Sequence, residues 1–146
     1  MIAVTVSTAV IDQGAEFEAI AATGAGGIAT FVGLVRSDDG VAILSLEHYP
    51  GATEAALITL CEQAAARWDL IGVRVTHRVG DMRPGEIVVF VGTAARHRGA
   101  ALEACAFLID RLKTEAPFWK KETRGDETSW VEPRDSDDAA AARWKG

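Results

Sequence analysis

An α+β fold with a mainly antiparallel sheet is the class this sequence predicts, and three observations predict it. Strand-like and helix-like stretches mix without regular strand–helix–strand alternation. Short alternating runs are separated by turn chemistry, Ser37-Asp38-Asp39-Gly40 and Asp81-Met82-Arg83-Pro84-Gly85. Two longer stretches, residues 53–70 and 102–113, carry apolar side chains at helical spacing, which suits helices packed on the sheet. No internal repeat or low-complexity linker interrupts the chain, so residues 1–146 read as a single domain. A chain of that length buries roughly two-thirds of the surface its unfolded form exposes.

Residues 2–7 alternate as a strand, and the lack of a basic flank makes this apolar start a strand and not a signal peptide. Residues 14–23 place Phe17, Ile20 and Ala21 at helical spacing, and Gly24, Gly26 and Gly27 end that helix. Residues 28–35 are β-branched and aromatic and residues 41–49 alternate again. The turn between them predicts a hairpin with Arg36 at the mouth of its loop. In residues 53–70, Leu57, Leu60, Cys61, Ala64 and Trp68 fall on one helical face, which is expected to cover the sheet. Strands over 72–80 and 86–93 flank the Pro84-Gly85 reversal, with His77 and Arg78 on the solvated face.

The basic triplet Arg96-His97-Arg98 stands where the chain leaves a strand and begins the helix of residues 102–113. Free N–H groups and partial positive charge at such a position favour a phosphate, although a polar helix start is the plain alternative. After Pro117, residues 118–122 are extended, residues 129–132 form a short strand beyond the Gly125-Asp126 turn, and Ser136-Asp137-Asp138 starts a terminal helix reaching residue 144.

Fifteen Lys+Arg against 21 Asp+Glu leave a net charge of −6, which excludes general nucleic-acid or membrane-surface binding, since both reward a basic face. The apolar runs fall far below the ~20 residues of a membrane span, so a cytoplasmic protein is expected. No CxxC, HExxH, GxGxxG, GxSxG or P-loop occurs, and three scattered histidines make no metal site, so neither metal nor cofactor is expected. Cys61 and Cys105 lie within helical apolar patterns as small hydrophobes, sulfur-carrying duty being the other reading.

Counted from Leu102 at 100° per residue, Ala106 falls at about 40°, Ile109 at about −20° and Lys113 at about 20°. That wheel sets Lys113 in the apolar stripe. A desolvated lysine loses its proton more easily, which makes Lys113 a candidate reactive amine; a snorkelling lysine at a helix end is the alternative. Arg98 falls on the same side but ~22 Å away along the axis, which predicts a site shared by two copies of the chain. Arg36, His97, Arg98, Lys113, Lys120, Lys121 and Arg134 together suit a phosphate-bearing small molecule, with Phe118 and Trp119 packing the wall beneath the lysines.

Several runs carry a family resemblance: Phe31-Val32-Gly33-Leu34-Val35-Arg36, Leu46-Glu47-His48-Tyr49-Pro50-Gly51, His77-Arg78-Val79-Gly80, His97-Arg98, and above all Leu112-Lys113-Thr114-Glu115-Ala116-Pro117-Phe118-Trp119-Lys120-Lys121-Glu122. With Trp130-Val131-Glu132-Pro133-Arg134 they resemble, in order, the large catalytic subunit family of molybdopterin synthase. The resemblance implies an α/β hammerhead-type fold and a homodimer within a heterotetramer. Each end would bind a small ubiquitin-like sulfur-carrier subunit with a C-terminal Gly-Gly thiocarboxylate. The implied activity is that of a sulfurtransferase of molybdenum cofactor biosynthesis. It converts cyclic pyranopterin monophosphate to molybdopterin through two sulfur transfers and opening of the cyclic phosphate. The same resemblance assigns catalysis to Lys113, at the thiocarboxylate, and to Lys120. Arg36, His97 and Arg98 become substrate-pocket residues, Arg134 a basic residue from the neighbouring protomer, and Lys121 and Glu122 complete the run. The competing expectation is a binding module that holds a phosphorylated pterin or a ubiquitin-like tail without chemistry.

Overall fold

The computed structural model describes residues 1–36, 40–131, 142 and 144. In chain order its elements are β1 (Ile2–Ser7), α1 (Gln13–Ala21), β2 (Gly27–Leu34), β3 (Ile43–His48), α2 (Ala52–Trp68), β4 (Gly72–Arg78), β5 (Gly80–Met82), β6 (Ile87–Ala95), α3 (Arg98–Glu115), β7 (Phe118–Arg124) and β8 (Glu127–Val131). Among the described residues the strands form two four-stranded sheets, ordered β1-β4-β6-β2 and β5-β3-β7-β8. All ladders are antiparallel except β1 beside β4, so the expected α+β class with mainly antiparallel sheet is what the chain adopts. None of the described helices is long and apolar enough to cross a membrane.

Strand periodicity divides the first sheet into two packed faces. Val73 and Val75 of β4 and Val89 and Val91 of β6 join Leu57, Leu60 and Cys61 of α2 and Cys105 and Leu108 of α3 in the main core. The opposite face meets α1, where Glu16 accepts hydrogen bonds from the Arg74 guanidinium and from Thr76 Oγ1, the latter at 2.9 Å. A second, smaller core of Val35, Leu44, Leu46, Val79 and Met82 joins the two sheets.

The relation between β6 and α3 fixes the position of the site. Nine residues of strand advance ~30 Å, and eighteen residues of helix return ~27 Å. Lys113 is thereby carried back to the end of the sheet where β6 begins, and Arg98 stays where β6 ends. Because β4 runs antiparallel to β6, with His77 opposite Val89, His77 lies at the Lys113 end as well.

Three local expectations give way. Residues 28–35 and 41–49 are not a hairpin: β2 pairs with β6 in the first sheet, and β3 pairs with β5 and β7 in the second. The chain after β2 is sewn to the 85–86 reversal, where Val35 N–H donates to Glu86 O at 2.9 Å and Gly85 N–H donates to Val35 O at 2.9 Å. Asp81 and Met82, expected in a turn, lie in β5 beside β3, where Met82 is buried. His77 is not solvated but 7% exposed. Arg78 points to the other face, its side chain 12% exposed, 3.4 Å from Glu86. The terminal helix expected over 136–144 lies, apart from residues 142 and 144, outside the described residues.

Candidate active site

The helix carrying Lys113 is rotated from its expected phase. Its buried residues are Ala101, Ala104, Cys105, Phe107, Leu108 and Leu112, whereas Leu102, the reference for the wheel, is 60% exposed. The true buried stripe is centred about 110° round from Leu102. Ala101 and Ala104, small residues that let the helix backbone approach the sheet closely, share the buried stripe with Cys105, Phe107, Leu108 and Leu112, and Leu102 is left outside. Lys113 is consequently exposed at the rim of this chain and is not on its buried face.

The chain around that rim is tightly fastened. After Ala116 N–H donates to Leu112 O at 3.2 Å, Ala116 turns extended and Pro117 prevents the helix from continuing. Thr53, fully buried at the start of α2, donates from Oγ1 to Pro117 O at 2.9 Å and accepts from Tyr49 N–H at 3.0 Å. One hydroxyl therefore ties the exit of β3, the start of α2 and the α3–β7 link together. At the same junction Phe118 is registered opposite His48, and its ring stacks on that of His77 with centroids 4.1 Å apart and planes 26° from parallel.

His77 is the most perturbed polar group of this junction. Nδ1 lies 2.9 Å from Arg78 O, and because a carbonyl only accepts, Nδ1 carries the proton. Burial pushes the imidazole from its ordinary 6.5 down to about 4; the bond to Arg78 opposes that shift, and His48 and Lys113 reinforce it electrostatically. The ring is neutral near pH 7.

Alternation along β7 separates the basic residues that follow. Phe118, Lys120 and Glu122 share the face that meets the second core and His77, with His48, Leu46 and Leu44 registered opposite them. Trp119 and Lys121 share the other. There Lys121 Nζ lies 3.6 Å from Glu47 and 4.5 Å from the centre of the Trp130 ring, and Trp119 meets Tyr49 edge to face at 4.3 Å. Glu47, His48, Tyr49, Trp119 and Trp130 line a shallow hollow of about 580 Å³ on that side. Of the two aromatics expected to wall the lysines, Phe118 does so, and Trp119 faces outward, 39% exposed. Glu122 accepts from Arg124 at 2.8 Å.

At the far end of α3, Arg96, His97 and Arg98 are all exposed, and the helix starts without a side-chain cap. Gly26 lets the preceding loop rest on this end, since a Cβ there would lie 2.3 Å from Arg96 O. Arg36 is exposed just beyond the other end of β2. Within one chain, then, Lys113, Lys120, Glu122 and Arg36 gather towards one end, His97 and Arg98 mark the other, and Lys121 faces away. Arg134 lies outside the described residues.

The cysteines are core atoms. Burial pushes Cys61 up to about 12 and Cys105 to about 11, so both are neutral thiols with no open path to a donor or acceptor. Among the described residues no cluster of side chains could hold a metal ion. Sequence reasoning missed Thr53, His48 and His77. For His77 the signal was present, since strict alternation from Val73 through Val75 places residue 77 on the buried face.

Comparison with known proteins places this arrangement in company. The family model described as "MoaE protein" matches residues 6–115. The molybdopterin synthase catalytic subunit of Vibrio cholerae is 51% identical, with 89% of each chain covered, and that of Pseudomonas aeruginosa is 49% identical over 98% of this chain and 99% of the relative. The solved structure of the molybdopterin biosynthesis MoaE protein from Burkholderia ambifaria superposes with a TM-score of 0.85 at 48% identity, covering 99% of this chain and 98% of that one.

Proposed function

The chain belongs to the MoaE protein family, and from that membership we propose that it is the catalytic subunit of a cytoplasmic molybdopterin synthase, a sulfurtransferase. The observation that carries this reading is one fastened junction that sets Lys113 near a neutral, buried imidazole and Lys120 on the β7 face of Phe118, the ring stacked on that imidazole. A small ubiquitin-like subunit delivers sulfur as a C-terminal Gly-Gly thiocarboxylate, and the substrate is cyclic pyranopterin monophosphate.

In each transfer the thiocarboxylate sulfur forms a C–S bond to a substrate carbon as a C–O bond at that carbon breaks, the oxygen leaving as water or, where the cyclic phosphate opens, with the phosphate. Water then cleaves the acyl–sulfur bond, so the carrier leaves as a carboxylate and the sulfur stays. Two such transfers and opening of the cyclic phosphate give the dithiolene. Every reacting group is anionic, and ammonium and guanidinium donors placed where charge develops stabilise the transition states. Lys113 anchors the thiocarboxylate, and Lys120, on the same side of β7 as Phe118, serves the substrate. Arg36, His97, Arg98, Glu122 and Arg134 complete the substrate-binding set, and Lys121, on the outward face of β7, stands apart from it. Because Arg98 and Lys113 lie at opposite ends of one helix, two copies of the chain share each site, as a homodimer within a heterotetramer.

Lys113→Ala tests the proposal. In the complex reconstituted with thiocarboxylated small subunit, conversion of precursor to dithiolene product is expected to fall by about 100-fold or more, the scale for losing one preorganised donor. Full conversion by that variant would mean that the pocket binds without doing the chemistry through this lysine.

A further inference from the structure

The His77 ring is fixed on two sides. Its face is stacked on Phe118 at 4.1 Å, and its Nδ1–H is committed to the Arg78 carbonyl at 2.9 Å. Nε2, on the opposite edge, has no hydrogen-bond partner among the described residues. No fully buried side-chain polar atom among those residues is unpartnered, so Nε2 is the edge of the ring that meets solvent. A 7%-exposed side chain whose Nε2 lone pair reaches solvent has the form of an acceptor held ready for a donor.

The surroundings say which donor. The ring is flanked by β1 and β6, whose strand residues carry no titratable side chain. From β3 comes His48, which lies 3.8 Å from Glu54; from β7 come Lys120 and Glu122 on the Phe118 face; from α3 comes Lys113, close enough to act on the ring's charge. A carboxylate beside Lys113 would orient the ammonium but cancel the charge that an anionic ligand needs. A neutral imidazole orients it and leaves that charge intact.

We propose that His77 is a positioning residue for Lys113: locked as the Nδ1–H tautomer, it offers Nε2 to the Lys113 ammonium, directly or through one water, and so aims the remaining ammonium protons at the anionic ligand. This rests on the reading of Lys113 as the catalytic lysine. Phe118 and the Arg78 carbonyl set the ring's plane and tautomer, and Thr53 holds the α3–β7 link that brings Lys113 to it.

Two variants and one spectrum test it. His77→Phe keeps a ring against Phe118 and removes the acceptor; His77→Gln restores an acceptor near the position of Nε2. In the reconstituted complex, His77→Phe is expected to lower kcat about tenfold with unchanged affinity for the small subunit, and His77→Gln to recover to within about threefold of wild type, the range of a single hydrogen bond to a charged group. ¹⁵N spectra of histidine-labelled wild-type protein are expected to show His77 neutral and protonated on Nδ1 at pH 7. Wild-type turnover by His77→Phe, failure of Gln to recover activity that Phe loses, or an Nε2–H tautomer would each overturn the proposal, and the spectrum decides even if His77→Phe does not fold. Lys113→Ala is run beside them. If it is fully active, the reading of the site itself fails; if it is inactive while His77→Phe turns over normally, only the role of His77 fails.

Discussion

The two ends of α3 hold cations in opposite settings. At the start, Arg96, His97 and Arg98 are exposed on a helix terminus with no side-chain cap. At the finish, Lys113 is also exposed, yet it borders a junction of buried Thr53, half-buried Phe118 and a buried, neutral His77. One end is a solvated patch whose attraction for an anion is screened within about 8 Å at physiological salt. The other faces a partly dry wall, where the same charge acts over less water and in a fixed direction. The first setting suits holding a phosphate, the second suits chemistry, and ~22 Å separates them along one helix.

The comparison breaks most visibly if the two ends never serve one site. Arg98→Ala and Lys113→Ala subunits, each prepared alone, are expected to lose activity, Lys113→Ala by about 100-fold. Mixed and re-equilibrated, they should yield one intact site per mixed dimer, because each subunit supplies the end that the other lacks. Properly mixed dimers with no recovery, verified by mass spectrometry, would confine each site to a single chain.

A smaller effect sharpens the finish itself. Lys120 and Lys121 are adjacent in sequence but face opposite sides of β7. Lys120→Ala is expected to reduce kcat/KM by about tenfold to 100-fold. Lys121→Ala should stay within about threefold, since it removes only an outward contact with Glu47 and Trp130, and exposed pairs of this kind contribute about 0–1 kcal/mol. Equal losses in the two variants would show that the outer face of β7 belongs to the site.

Much of this was legible from sequence, and the parts that were not share a physical cause. The α2 and α3 helices and the β7–β8 hairpin are specified by local periodicity and by a turn at Gly125, and they stand as expected. The partners of β2 and β3 are not local: Ser37 to Gly40 reads as a hairpin turn, but β2 pairs with β6 and β3 with β5 and β7, and Val35 and Leu44 meet in the second core. The wheel on α3 found the helix and mistook its phase because it weighed Leu102 above Ala101 and Ala104, when close packing on a sheet rewards small residues. The basic residues were recognisable as a set; their division between two ends and two strand faces needed the register.

The smallest expected effect concerns stability. The folded His77 ring takes its proton only near pH 4, the unfolded ring near 6.5. Between those values the unfolded chain binds the proton that the folded chain refuses, so the contribution of the neutral ring is complete above pH 6.5 and is lost as the pH falls towards 4. His77→Phe removes the titrating group, so its unfolding free energy, measured by denaturant titration from pH 7 to pH 4.5, should fall less steeply than that of wild type, by about 1–3 kcal/mol over the range. The slope is the informative quantity, because the offset at pH 7 mixes the lost Arg78 bond with the changed stack on Phe118. Parallel curves would mean that the ring is protonated as readily in the folded chain as in the unfolded one. The wall beside Lys113 would then be no drier than the patch at Arg98, and the distinction between the two ends of α3 would rest on shape alone.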